Sequence, residues 1–448
     1  MTDCRITSIS HPLSATVRVP GSKSLTNRAL LIASLANGTT RLTNALFSDD
    51  SHYFARALQA LGFDIQLDEA NHEMTVTGLG GKIPAQKADL FIGNAGTAAR
   101  FLSAFLTLGH GEYILDGEPR MRERPIGDLV GALTQLGARV EPLRTAEGGT
   151  QKAEICPPVK IIGNGLPGGK TTIAGNISSQ FLSALLMVAP YAQNPIEITL
   201  STELNSKPYV DMTLSIMQDF GVHVQRNHYH SFSVPITNYR VASPWDQLPI
   251  TNHQSPISNY QIESDASAAS YFFAAPAICG GTVKVENISR QSVQGDIRFL
   301  DVLAQIGCSV EETDNCLLIT GHSPLRGIDV DMRDIPDTAQ TLAAIAPFAN
   351  SPTRIRGIAS ARVKETDRVH ATCTELTRLG VRVEEHEDGM TIYPCAKFVP
   401  ATVQTYNDHR MAMAFSLIGL RFDGVTIENP SCVSKTFPNF FDVLESLG

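Results

Sequence analysis

The stretch Gly21-Ser22-Lys23-Ser24-Leu25-Thr26-Asn27-Arg28 sets two cations and two serine hydroxyls between an alternating run, Ala15 to Pro20, and an apolar one, Ala29 to Leu35. That order predicts strand, tight turn and helix start. A helix start attracts anions, because its first amides lack intrahelical partners and the macrodipole is positive there. Two descriptions fit this stretch equally: a phosphate or carboxylate site, or a capped helix with solvated charges. A nucleotide P-loop does not fit, since Ser22 precedes Lys23 and no earlier glycine has the required spacing.

Residues of the same kind recur at later helix starts and in the loops that follow them. Lys23, Ser24 and Arg28 are succeeded by Asn94, Gly96, Thr97 and Arg100, then Arg120, Arg122 and Arg124. Ser178, Ser179 and Gln180 come next, followed by Lys207 and Tyr209. In the second half stand Asp337, then Lys364, Glu365 and Arg368, then His409 and Arg410, and finally Lys435. Cations and hydroxyls dominate, which suits a highly anionic small ligand: arginine offers planar paired donors, lysine a compact charge, and serines and helix amides fill the remaining acceptor sites. Asp337 and Glu365 would repel such a ligand unless they move protons, so they are candidate acid/base groups. Taken singly, each has a plainer reading, helix capping for Asp337 and an exposed ion pair with Lys364 or Arg368 for Glu365. Their matching positions in a repeat favour the catalytic reading.

The positioning elements follow from that repeat. A helical pattern ends at a glycine and a strand begins at Leu61-Gly62-Phe63, Leu136-Gly137-Ala138, Phe220-Gly221-Val222, Ile306-Gly307-Cys308 and Leu379-Gly380-Val381, and the chain closes on Leu447-Gly448. The interval is roughly 70 to 90 residues, the mark of an internal repeat. Each glycine suits the left-handed position after a helix. A second series of helices, rich in alanine and leucine and apolar on more than one side, starts near Ser24, Thr97, Ser179, Ser267, Thr338 and His409, and is expected to be buried. The first series starts at polar loops and is expected to lie outside. With strand runs such as Glu197 to Leu200 and Thr282 to Val285, each period reads as one β-α-β-α-β-β unit, three per half. Between the halves, the segment from Pro235 to Pro256 carries four prolines and the only tryptophan, Trp245, and reads as a linker or surface insertion.

At 448 residues with 43% apolar content, the chain is long enough for two or three globular domains. A net charge of −9 weighs against nucleic acid or an anionic membrane as partner, so the cations must be concentrated locally. Eight scattered cysteines without a C-x-x-C pair argue for reduced thiols and against a structural metal, and His228 and His230 read as surface positions. The N-terminus lacks a signal-like apolar region and no window approaches a membrane span, so a cytoplasmic protein is expected. Gly163 to Gly168 fits G-x-G-x-x-G but contains Pro167 and runs into a strand, so a long hairpin loop is expected there instead of a dinucleotide site.

Several motifs occur in one order: Gly21-Ser22-Lys23-Ser24, Gly93-Asn94-Ala95-Gly96-Thr97-Ala98, Glu118-Pro119-Arg120-Met121-Arg122-Glu123-Arg124-Pro125, Ser178-Ser179-Gln180-Phe181, Arg362-Val363-Lys364-Glu365-Thr366-Asp367-Arg368 and Asn407-Asp408-His409-Arg410. In these the sequence resembles the 5-enolpyruvylshikimate-3-phosphate synthases along nearly its whole length. The resemblance implies an α/β fold, the two-domain inside-out α/β barrel of the enolpyruvyl transferases, with six β-α-β-α-β-β repeats, three per domain. It also implies that the first strand joins the C-terminal domain, giving domains of 21–245 and of 1–20 plus 246–448.

The implied reaction transfers the enolpyruvyl group of phosphoenolpyruvate to the 5-hydroxyl of shikimate 3-phosphate and releases phosphate. It passes through a tetrahedral ketal, with no metal or organic cofactor, in an enzyme expected to be monomeric. By motif, Lys23, Ser24, Arg28, Ser178, Ser179, Ser206, Tyr209, Asp337, Ser360 and Lys364 would hold shikimate 3-phosphate. Lys23, Asn94, Gly96, Arg124, Gln180, Arg368, Arg410 and Lys435 would hold phosphoenolpyruvate. Asp337 would deprotonate the 5-hydroxyl and Glu365 would protonate the methylene carbon, with Lys23 and His409 assisting. Two positions depart from the family pattern: Ser360 stands where many relatives have asparagine, and Phe101 where the best-known members have proline. Glyphosate, the family's phosphoenolpyruvate-competitive inhibitor, is expected to bind because Gly96 is present, with sensitivity shifted by Phe101. The sister family acting on UDP-N-acetylglucosamine uses a loop cysteine that Asp116 to Pro125 lacks, and a non-catalytic paralogue would have lost the acid/base groups or arginines that stand here.

Overall fold

The computed structural model describes residues 3–143, 154–240 and 258–448. Twelve α-helices are found among them: Lys23–Leu35 (α1), Asp49–Ala60 (α2), Gly96–Phe105 (α3), Gly127–Gln135 (α4), Ser179–Val188 (α5), Lys207–Asp219 (α6), Ala266–Cys279 (α7), Phe299–Ile306 (α8), Ala339–Ile345 (α9), Arg368–Arg378 (α10), His409–Arg421 (α11) and Phe440–Glu445 (α12). The odd-numbered helices are the alanine- and leucine-rich series. Nearly every residue of α3, α5, α7, α9 and α11 is buried, as expected of helices that are apolar all round. The even-numbered helices bury one stripe, as α2 does through Phe54, Ala55, Ala57 and Leu58. Gly62, Gly137, Gly221, Gly307 and Gly380 all have positive φ, the conformation that lets the chain leave an outer helix and enter the next strand.

Five of the six sheets among the described residues are four-stranded and share one order. In one of them Lys87–Phe91 runs parallel to His110–Asp116 across the buried helix α3, and Val159–Asn164 and Arg139–Pro142 follow antiparallel. The sixth sheet departs from the expected six full repeats. Ala401–Val403 lies parallel to Val425–Ile427, whose other side pairs with Cys4–Arg5 where the other repeats place their hairpin. The loop Gly163 to Gly168 also corrects an expectation. The strands on its two sides, Val159–Asn164 and Gly169–Ile173, belong to different sheets, so it links consecutive repeats and closes no hairpin. Gly169–Ile173 instead pairs in parallel with Ile196–Leu200 across α5, the crossover that every repeat uses.

The chain forms two compact units, residues 21–262 and residues 1–20 with 263–448. A reciprocal exchange of first strands produces this division. Leu13–Arg18 precedes α1 in the chain yet lies parallel to Gly281–Glu286, while Ser258–Gln261 precedes α7 yet lies parallel to Asn37–Thr43. The segment 241–257, including Trp245 and the expected division after residue 245, lies outside the described residues; the strand Ser258–Gln261 carries the first unit on to Ile262. The core of the second unit is built on α7, α9 and α11, with Tyr271, Phe272, Phe415 and Phe440 wholly buried.

Candidate functional site

In the unit 21–262, the start of α1 separates the two serines of the opening motif. Ser22 is extended and buried, and its Oγ accepts from the amide of Leu25 at 3.4 Å, which makes it the helix cap. Lys23 lies just inside the helix with Nζ 3.6 Å from Oδ2 of Asp50, in the first turn of α2. One turn further on, Arg28 is buried among three helices. Its Nε donates to Thr213 Oγ1 at 2.7 Å, Nη1 to the Ser24 carbonyl at 2.9 Å, and Nη2 to the Tyr209 carbonyl at 3.2 Å and Ser183 Oγ at 3.4 Å. The guanidinium sits 5.3 Å from the centroid of Phe101. Burial pulls the Arg28 pKa down to about 10, against the smaller opposing influence of Tyr209.

The second repeat places Arg124 over the start of α3. Its Nη1 donates to the carbonyl of Asn94 at 3.2 Å and to Asn94 Oδ1 at 3.1 Å. A Cβ on Gly96 would lie 2.4 Å from Arg124 Nη2, so glycine is what lets the guanidinium lie against the helix start. Arg100 holds the far end of the same turn through the Gly96 carbonyl at 3.1 Å and the Pro125 carbonyl at 3.2 Å. In the third repeat Ser178 caps α5 by accepting from the amide of Gln180, and Gln180 Nε2 donates to Thr97 Oγ1 at 3.3 Å, tying α5 to α3. Ser179 is buried, and Ser206, with φ of 57°, turns the chain into α6, where the Tyr209 carbonyl meets Arg28.

In the other unit the candidates converge on Arg368, at the start of α10. Nε donates to Asp408 Oδ2 at 2.7 Å, Nη2 to Asp408 Oδ1 at 3.3 Å and to Glu365 Oε2 at 2.8 Å, and Nη1 to Asp337 Oδ1 at 3.1 Å. Arg410 Nη2 donates to the second oxygen of Asp337 at 2.7 Å, and Lys435 Nζ stands 3.5 Å from Glu365 Oε1. The His409 ring is fully buried with Nδ1 3.6 Å from Asp408 Oδ1. Burial works against the charge on Arg368, but Asp408, Glu365 and Asp337 outweigh it and its pKa is raised. Behind Arg410, burial pushes the Tyr271 hydroxyl up to about 12, with Arg410 and Arg368 acting in the opposite direction. Ser360 is partly buried on the 3-10 turn Ala359–Val363, and Lys364 follows that turn directly.

Each unit therefore gathers its own predicted residues. Asp337, Glu365, Arg368, His409, Arg410 and Lys435 form one network, while Asn94, Gly96 and Arg124 form another, joined through Thr97 to Gln180. Sequence reasoning assigned no role to Asp50, Ser183, Thr213, Tyr271 or Asp408. Asp408 carried a signal, an aspartate in the capping position ahead of a helix start. Ser183, Thr213 and Tyr271 lie inside helices, where nothing in the sequence sets them apart. Among the described residues, no group of three or more His, Cys, Asp or Glu side chains has the arrangement of a metal site, and no helix is long and apolar enough to cross a membrane.

Residues 7–444 match the family model for EPSP synthase (3-phosphoshikimate 1-carboxyvinyltransferase). The chain is 48% identical over 436 residues to a 3-phosphoshikimate 1-carboxyvinyltransferase of Trichormus variabilis, covering 97% of each chain. It is 49% identical over 436 residues to the enzyme so named from Vibrio atlanticus, again with 97% of each chain covered. Among solved structures it resembles EPSP synthase from Acinetobacter baumannii, with a TM-score of 0.78, 25% identity, and coverage of 100% of this chain and 98% of that one.

Proposed function

The chain belongs to the EPSP synthase family, and on that premise we propose that it transfers the enolpyruvyl group of phosphoenolpyruvate to the 5-hydroxyl of shikimate 3-phosphate, releasing phosphate. The match over residues 7–444 carries this reading. The chemistry of the charged groups in each unit supports it: arginines and lysines for two phosphates and two carboxylates, and two carboxylates, Asp337 and Glu365, for proton transfer.

Glu365 delivers a proton to the methylene carbon of phosphoenolpyruvate, which leaves a cationic centre at C2. Asp337 takes the proton of the 5-hydroxyl as its oxygen attacks that centre, and the tetrahedral ketal results. Elimination reverses the carbon protonation: the new methyl group returns a proton to Glu365 as phosphate departs, and the departing phosphate takes up the proton that Asp337 had accepted. Lys23 and His409 assist by stabilising charge on the departing phosphate and on the groups that exchange protons. In this reading Lys23, Ser24, Arg28, Ser178, Ser179, Ser206, Tyr209, Asp337, Ser360 and Lys364 hold shikimate 3-phosphate. Asn94, Gly96, Arg124, Gln180, Arg368, Arg410 and Lys435, with Lys23, hold phosphoenolpyruvate.

The hydrogen bond of Ser22 supports the choice of Ser24 as the ligand, since Ser22 Oγ already caps α1. The reading extends to a cytoplasmic monomer that glyphosate inhibits in competition with phosphoenolpyruvate. Supplying both substrates and following phosphate release tests the reaction directly. Phosphate release that requires both substrates is expected; none at all would end the proposal. A titration in which glyphosate shows no competition with phosphoenolpyruvate would remove the inhibitor from it, and sedimentation at several concentrations checks the monomer.

A further inference from the structure

Asp408 is fully buried, and each of its oxygens meets a donor of the protein. Oδ1 accepts from the Arg410 amide at 2.9 Å and from Arg368 Nη2 at 3.3 Å; Oδ2 accepts from Arg368 Nε at 2.7 Å. One carboxylate thus caps α11, the helix that begins with His409 and Arg410, and grips one edge of Arg368, at the start of α10. With the Nε edge held, the rest of the guanidinium points at Asp337 through Nη1 and Glu365 through Nη2. An arginine side chain without such a grip keeps several rotamers, and its planar fork recognises an anion only in a fixed orientation. Asp408 also differs from Asp337 in exposure. Asp337 is 21% exposed and reachable by a ligand, whereas Asp408 has no exposure and no room for one.

We propose that Asp408 is the positioning residue of this site: a fixed anion that orients Arg368 for phosphoenolpyruvate and sets the start of α11, without touching a substrate. The proposal rests on the reading of Arg368 as a phosphoenolpyruvate ligand. Its consequence is a division of labour among three carboxylates, with Asp337 and Glu365 exchanging protons while Asp408 keeps its charge and place throughout the cycle.

Asp408→Asn keeps an oxygen for the cap, since asparagine caps helices as well as aspartate, but loses the charge and one of the two acceptors for Arg368. The KM for phosphoenolpyruvate is expected to rise about tenfold or more, with kcat and the KM for shikimate 3-phosphate changed less than about threefold. Asp408→Ser, which caps with a smaller side chain, guards against a folding defect in the first variant and is expected to show the same split. Arg368→Lys supplies the decisive cycle. If Asp408 acts through Arg368, the double variant Asp408→Asn/Arg368→Lys has a phosphoenolpyruvate KM close to that of Arg368→Lys alone, whereas additive effects overturn the proposal. An unchanged phosphoenolpyruvate KM in a folded Asp408→Asn or Asp408→Ser protein overturns it as well. Failure of the functional reading looks different, because the unmodified protein then releases no phosphate from the two substrates.

Discussion

The two units hold their buried arginines in opposite ways. In the unit 21–262, Arg28 and Arg124 donate to neutral acceptors: the hydroxyls of Thr213 and Ser183, the carbonyls of Ser24, Tyr209 and Asn94, and the Asn94 side chain. In the other unit Arg368 and Arg410 donate to Asp337, Glu365 and Asp408. Burial therefore draws the Arg28 pKa down to about 10, while three carboxylates overcome burial and raise that of Arg368. The first arrangement leaves positive charge uncompensated, which suits the capture of an anion. The second sets each guanidinium against carboxylates, which compensates its charge on the spot. Equivalent helix starts in the two units thus hold their arginines among neutral acceptors in one and among carboxylates in the other.

Removing the proton-handling carboxylates should give the largest effect. Asp337→Ala and Glu365→Ala are each expected to lower kcat by about 10²- to 10⁴-fold, measured as phosphate release at saturating substrates. Nearly intact activity in either variant would break the comparison at its catalytic end.

Stability provides the next contrast. Arg368→Met leaves three carboxylates without their common partner and is expected to cost about 3–5 kcal/mol. Arg28→Met leaves only neutral groups, Thr213 and Ser183 among them, which already hydrogen-bond each other at 2.8 Å, so about 1–3 kcal/mol is expected. Denaturant unfolding of both variants checks the order, and equal losses would mean that the charge environment does not distinguish the units.

Gly96→Ala sharpens the binding side. The added methyl must displace the Arg124 guanidinium, which a Cβ would approach to 2.4 Å. Because the far end of a flexible side chain can move, a stability change within about 1 kcal/mol is expected, alongside a phosphoenolpyruvate KM raised severalfold.

The smallest effect lies in alkaline unfolding. Burial raises Tyr191, in the first unit, and Tyr271, in the second, to about 12. Between pH 10 and 12 the unfolded chain ionises these groups while the native one does not, so stability falls as pH rises. Tyr191→Phe or Tyr271→Phe should flatten the alkaline loss by up to about 1.4 kcal/mol per pH unit. Urea unfolding between pH 9 and 12 measures the slope.

Much of this arrangement was legible in the chain. The repeat, its glycine punctuation and the alternation of buried with outer helices are local properties, written in hydrophobic period and in the left-handed preference of glycine after a helix. The candidate groups were legible too, because helix starts announce themselves and cations clustered there have few structural reasons to recur. The two serines were also told apart in the chain, Ser24 as ligand and Ser22 as part of the turn, and the fold adds the detail that Ser22 Oγ accepts from the Leu25 amide. The exchange of strands Leu13–Arg18 and Ser258–Gln261 was expected from the family resemblance alone and from no local pattern, since each edge requires only an extended segment in parallel register and either segment supplies one.

The sequence by itself determined the inventory: repeats, buried helices, anion-seeking helix starts and the family to which the chain belongs. The tertiary structure alone decided which partners those residues meet. Arg28 and Arg368 look alike as letters, each an arginine in the first two turns of a helix, and they differ because one is packed against Thr213 and Ser183 and the other against Asp408, Asp337 and Glu365. Those partners lie up to 185 positions away along the chain. Charge balance at a buried group depends on neighbours in space, and no local pattern of side chains encodes it.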